Sequence, residues 1–242
     1  MPDASAIQSE VKFSRPPARG LRRMIQVLMT MGIWIAAVFA SAGRLDWNRG
    51  WICMTAWVVS MVAAGLLVRR ANPSLIEARA NWRRKDTKPF DKVFLSVYLP
   101  LTFVQPALAG LDVVRFRWSS MPFATVYAGL VLFAIAMALV TWAMMVNPFA
   151  EPTVRIQTDR NHKVVTSGPY RIVRHPMYTG IILLYLASAL IFGSAWALAV
   201  SGLMAVLFVC RTALEDRTLR RELPGYQEFT TSTRYRLIPG LW

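Results

Sequence analysis

Two cysteines, two histidines and thirteen acidic residues are all this 242-residue chain has of the side chains most used in covalent, metal or acid–base chemistry. Cys53 and Cys210 fall inside apolar runs without paired spacing. That excludes a disulfide framework or a cysteine metal site and reads both as small buried apolar residues. His162 and His175 are too few for a histidine cluster, and no metal centre is expected. There is no phosphate-cradling glycine loop, no readable Ser-His-Asp spacing and no repeat of useful period.

Apolar sequence is what the chain has in plenty. An apolar fraction of 55% is too high for an ordinary soluble domain and fits an all-α integral membrane protein. Runs long enough to span fall at 24–42, 51–68, 93–110, 122–146, 177–192 and 195–210. The last two are short and are expected to pair as a helical hairpin. The third contains Pro100, Gln105 and Pro106, which predicts a kink or an incomplete crossing. No acidic residue lies inside a predicted span, which argues against ion-coupled transport. The broken third run is the one feature that encourages a transporter or a non-enzymatic membrane component.

Six spans put both termini on one side. That side carries 24 of the 28 lysines and arginines; Arg44, Arg49, Arg115 and Arg117 alone lie opposite. The bias places both termini and the long loops in the cytoplasm, as for a bacterial inner-membrane protein. The net charge of +15 is thereby explained by topology and by anionic lipid heads, with no need for nucleic acid. Arg22-Arg23, an apolar run and Ala40-Ser41-Ala42 imitate a secretory signal, but the run is long for one, so a retained first helix is expected. Trp47, Trp51, Trp118 and Trp196 read as interface anchors. The expected organisation is a loose tail (1–20), N-terminal transmembrane helices (21–146) and a functional region (147–242) with a cytoplasmic loop, the hairpin and a C-terminal helix.

Polar chemistry is concentrated at the two ends of that hairpin. One end reads Ser-Gly-Pro-Tyr-Arg-Ile-Val-Arg-His-Pro-Met-Tyr-Thr-Gly (167–180) and the other Arg-Thr-Ala-Leu-Glu-Asp (211–216), with a break at Phe192-Gly193-Ser194 between them. Gly168-Pro169 signals a turn, and Pro176 suits the first turn of a helix with His175 at its mouth. The free N–H groups there suit an anionic ligand group, and Gly180 would allow close approach beside Tyr178. The same residues also read as a plain helix start, with Arg171, Arg174 and Tyr178 holding lipid heads. Arg211 and Glu215, four apart, share a helix face. Arg211 could simply snorkel, yet two acids at the membrane border of a basic protein call for a cationic partner.

GPYRIVRHPMYTG, the short-turn hairpin, RTALEDRTL and PGYQEF…RYRLIPGLW resemble the isoprenylcysteine carboxyl methyltransferase family, which is related to the membrane phospholipid methyltransferases. The resemblance is strong over 152–242. The upstream GRLDWNRGW and NPSLIEAR…RRKDTKPFDK are similar to bacterial members. The family often has Glu-Glu where this chain has Glu215-Asp216. The resemblance implies S-adenosylmethionine bound in a cytoplasm-facing pocket with a lipid-side entrance for a lipid-like or prenylated acceptor. His162, Lys163, Val164 and Val165 would line the cofactor, continued by Tyr170, His175, Pro176, Met177 and Tyr178. Glu215 would hold a cationic or hydroxyl part of it. Arg211 matches the catalytic position that orients the acceptor, and Gln157 matches a further cofactor contact if two residues are deleted from the loop.

An acceptor carboxylate is already ionised near neutral pH and needs no base, only a guanidinium to direct it. The alternative, N-methylation of phosphatidylethanolamine, needs a base, and His175 or Glu215 would serve. A reductase on a related scaffold is also compatible with the fold, since fold does not fix reaction.

Overall fold

A computed structural model describes residues 18–80 and 84–242, with side chains from residue 29. The expected tail lies, through residue 17, outside the described residues. The chain divides into two compact units, Met1–Ile33 and Trp34–Trp242. The described part of the first is helical from Ala18, with Met29 and Ile33 exposed.

The helices are α1 (Ala18–Ala42), α2 (Asn48–Ala71), α3 (Pro73–Ala80), α4 (Pro89–Gly110, continued by a π-helical turn Leu111–Phe116), α5 (Ala124–Val146), α6 (Pro176–Phe192), α7 (Ala195–Glu222) and α8 (Tyr226–Ser232). No strand occurs among the described residues. Among the described residues four helices are long and apolar enough to cross a membrane: α2, the combined Pro89–Phe116, α5 and α7. α6, at 17 residues, is shorter, and α1 is apolar over the part whose side chains are described, Met29–Ala42.

Local sequence explains where the hairpin helices begin. Pro176 occupies the first turn of α6, where its missing N–H leaves nothing unpaired. Gly193 ends α6 at φ 76°, and Ser194 caps α7 by accepting from the Ala197 N–H at 2.9 Å. The expected hairpin is therefore present, but its second arm is not short. It runs 28 residues, because the helix continues beyond its apolar stretch through Arg211 to Glu222.

The third apolar run also differs from expectation. Pro100 and Pro106 lie inside a helix that continues to Phe116, so its length suffices for a full crossing. The buried Gln105 amide donates to the Tyr185 carbonyl (2.9 Å) and to Ser201 Oγ (3.0 Å), which ties this helix to the hairpin. Its true limits also bring in two buried acids, Asp91 in its first turn and Asp112 in its π-helical turn. The expectation that the spans hold no acid is corrected accordingly. Both carboxylates are fully partnered. Asp112 receives hydrogen bonds from Ser119 N, Ser119 Oγ and Ser194 Oγ at 2.5–2.8 Å.

Close helix contact sets the position of α6 against α5. A Cβ at Gly180 would lie 3.0 Å from the Ala136 carbonyl, and one at Gly129 would lie 2.9 Å from the Ala187 carbonyl. Gly180 thus serves helix packing, and the expectation that it opens room for a ligand is not met. Trp47 is buried and stacks on Phe192 at 5.3 Å, so it is core, whereas Trp51, Trp118 and Trp196 are about half exposed. Cys53 is buried as expected, but Cys210 is exposed on the outer face of α7. Val62, Leu66, Val131, Ile135 and Val206 are also outward-facing, a belt suited to lipid.

Candidate active site

The loop between α5 and α6, the first turn of α6 and the end of α7 converge on one cleft of about 740 Å³, its open mouth included. Within it, Gln157, His162, Lys163, Val164, Val165, Tyr170, His175, Met177, Tyr178 and Glu215 stand together, although they come from three separated stretches of sequence. Pro176 does not line the cleft and is buried as the first residue of α6. Arg211 does not line it either.

Arg174 and Asp216 join the two motifs. Arg174 donates from Nε to Asp216 Oδ1 at 2.7 Å, and from Nη1 to the carbonyls of Thr233 (2.8 Å) and Arg234 (2.7 Å). Asp216 also meets Arg236 (3.1 Å) and Arg220 (3.2 Å) and accepts from Tyr226 Oη at 3.0 Å. Its cationic partners are therefore protein side chains. The lipid-head reading fails for Arg174 and Tyr178, which are both buried. Backbone N–H groups of Arg174 and His175 donate to Tyr235 and Arg236 carbonyls, both at 2.9 Å, so the C-terminal segment closes over the motif.

Tyr178 Oη donates to Glu215 Oε2 at 2.6 Å, and the His175 ring stacks on Tyr178 at 5.6 Å between centroids. Glu215 is only half buried and faces the cleft. Arg211 and Glu215 share a helix face, but each has another partner. Arg211 Nε donates to Asp91 Oδ1 at 2.8 Å, and Nη2 donates to the Pro152 carbonyl at 2.8 Å. Its guanidinium lies 4.5 Å over the Phe94 ring and 4.9 Å over the Tyr178 ring. Arg211 reaches the cleft only through Tyr178 and the loop it holds.

In the loop, Arg155 is buried and paired with Glu151 (2.9 Å), Asp159 (2.7 Å) and Asp86 (3.0 Å). Gln157 is buried too, with Nε2 donating to the Phe149 carbonyl at 2.7 Å. His162 packs on the Phe149 ring at 4.5 Å, and its Nδ1 accepts the Gln157 N–H at 3.4 Å. Burial, helped by the charges of Arg155 and Arg160, lowers its pKa to about 4. His162 is therefore neutral at physiological pH. Burial likewise pushes the phenols of Tyr170 and Tyr226 well above their ordinary range, and both stay protonated.

Sequence reasoning missed several cleft residues: Asn147, Phe149, Glu151, Thr153, Leu219, Leu223, Tyr226 and Phe229. Leu219 and Leu223 follow Glu215 at intervals of four along one helix face, a signal that could have found them. Residues 147–153 carry no such periodicity. Among the described residues no group of histidine, cysteine and acidic side chains could hold a metal ion.

Residues 124–224, which hold α5, the loop, α6 and α7, match the family model Phospholipid methyltransferase. This part of the chain is accordingly a domain of that family of membrane methyltransferases, which includes the isoprenylcysteine carboxyl methyltransferases. With the membrane-length helices, this match marks a membrane protein that carries a methyltransferase domain of a kind acting on lipid-like substrates. No curated protein matches the chain.

Proposed function

We propose that this protein is an S-adenosylmethionine-dependent methyltransferase that methylates the carboxylate of an isoprenylcysteine-type, lipid-like acceptor, with its cleft facing the cytoplasm. The convergence of ten loop, α6 and α7 residues on one cleft carries this reading. The residues present fit the cofactor. Val164, Val165, Leu219 and Leu223 offer an apolar wall for an adenine ring. Glu215, half buried beside the rings of Tyr178 and His175, suits a cationic or hydroxyl group, and aromatic faces favour a cation.

When bound, the cofactor supplies an electrophilic methyl group on a sulfonium. The chain's own work is positioning and exclusion of water. Tyr178 fixes Glu215 through its 2.6 Å hydrogen bond. Arg211 keeps Nη1 free of hydrogen bonds among the described residues, since Asp91 and Pro152 take Nε and Nη2. The two N–H groups of Nη1 are available to direct an acceptor carboxylate.

A second reading, N-methylation of a phosphatidylethanolamine-type amine, is favoured by the same pair. Asp91 already neutralises Arg211, so the acceptor side carries no excess positive charge to repel an ammonium. His175 or Glu215 would then take the proton.

The test is calorimetric binding of S-adenosylmethionine and S-adenosylhomocysteine to the purified protein in detergent, beside Glu215→Ala with Tyr178→Ala. Binding that the double variant loses supports the cofactor; no binding by folded wild type overturns it. Methyl transfer to an S-prenylated cysteine, set against transfer to phosphatidylethanolamine, then separates the two acceptors.

A further inference from the structure

Thr153 sits in the cleft wall with a hydroxyl that nothing among the described residues satisfies. The residue is 5% exposed, and its Oγ1 has no hydrogen-bond partner among the described residues. A buried hydroxyl left unpaired is unfavourable and calls for an explanation. Backbone freedom does not supply one, because both neighbours are held. The Pro152 carbonyl accepts from Arg211 at 2.8 Å. The Val154 N–H donates to Asp91 Oδ2 at 2.7 Å, and the Val154 carbonyl accepts from the Lys88 N–H at 3.0 Å. Arg211 and Asp91 are themselves joined at 2.8 Å. The loop is thus clamped on either side of Thr153, and the clamp holds this residue in the cleft wall.

We infer that Thr153 is a ligand-binding residue whose hydroxyl completes its hydrogen bonding on a polar group of the methyl donor, and that the Asp91–Arg211 pair is the device that presents it. This rests on the cofactor reading proposed above. It gives Arg211 a positioning role toward the donor in addition to any contact with the acceptor. A hydroxyl both donates and accepts, so it can meet a ribose hydroxyl, a carboxylate or an ammonium.

The experiment is calorimetric titration of the full-length protein in detergent with S-adenosylhomocysteine and with S-adenosylmethionine, for wild type, Thr153→Val and Thr153→Ser. Unfolding midpoints of all three are measured alongside. Thr153→Val keeps the shape and removes the hydroxyl, while Thr153→Ser keeps the hydroxyl. The expected result is an affinity loss of about two- to twelvefold for Thr153→Val, the size of one neutral hydrogen bond. Thr153→Ser should bind as wild type does, and Thr153→Val should unfold no earlier than wild type. Wild-type affinity in Thr153→Val overturns the contact and leaves the cofactor reading intact. Equal losses in both variants also overturn it, since they assign the residue to packing. Absence of binding by wild type overturns the cofactor reading itself, and the contact with it.

Discussion

Arg174 and Asp216 form a closed pair, Nε to Oδ1 at 2.7 Å and Nη2 to Oδ2 at 3.3 Å, with side chains 2% and 1% exposed. The arginine comes from the loop before α6 and the aspartate from the end of α7. The two ends of the hairpin are therefore locked to one another by charge.

Asp216→Ala should be strongly destabilising, because it strands the Arg174 guanidinium in a buried site. Breaking one side of a buried pair costs about 3–5 kcal/mol. A lowered unfolding midpoint in detergent checks this. A variant as stable as wild type would mean that Arg236 and Arg220 do not depend on Asp216 either.

Glu215→Gln should behave differently, since Glu215 is only half buried and, among the described residues, its side chain is hydrogen-bonded by Tyr178 alone. Its unfolding midpoint should stay near that of wild type while S-adenosylhomocysteine affinity falls at least about tenfold, the loss of one charge-assisted hydrogen bond. Tyr178→Phe should lose less, because the carboxylate remains but is no longer fixed. Calorimetry on the two variants orders them.

Arg211→Lys retains a charge but cannot hold Asp91, the Pro152 carbonyl and an acceptor in one planar arrangement. The acceptor KM should rise severalfold. Unchanged acceptor KM and kcat would remove Arg211 from acceptor binding. In a double-mutant cycle of Asp91→Ala and Arg211→Ala, the double variant should be more stable than the sum of the two singles predicts, because no unpaired charge remains.

His162 makes stability depend on acid. Its folded pKa of about 4 lies below the ordinary 6.5, so the unfolded chain takes up the proton first as pH falls. The contribution is fully present above about pH 6.5 and is lost progressively between about 6.5 and 4. Unfolding midpoints of wild type should drop across that window, and His162→Gln should remove this part of the decline.

The apolar runs were legible because lipid demands long uncharged stretches, and the hairpin because Gly193-Ser194 interrupts one. Part of the cleft was legible, through the motifs at its two ends and the resemblance that extends them to 157–165. What the sequence hides are partnerships across distance. Asp91 and Arg211 stand 120 positions apart, and nothing in either neighbourhood announces the other. Helix limits were hidden for a related reason. Asp112 and the end of α7 are polar, and an apolar run stops at the first charge whether or not the helix does. Trp47 and Gly180 each fit two roles, and only the packing of Trp47 on Phe192 and of α6 on α5 decides between them.

The helix that begins at Pro89 is moored to the hairpin at both extremities, through Asp91 to Arg211 and through Asp112 to Ser194. The two moorings are 21 positions apart, about 32 Å at 1.5 Å per residue and close to the roughly 30 Å of a bilayer's hydrocarbon. A rod pinned at both ends to its neighbour cannot slide or tilt independently of it, so a thinner or thicker lipid layer is met by the joined pair tilting as one unit. One pin is the clamp that holds residues 152–154 in the cleft wall. Residues 152–154 in the cleft wall therefore move with this helix and the hairpin together.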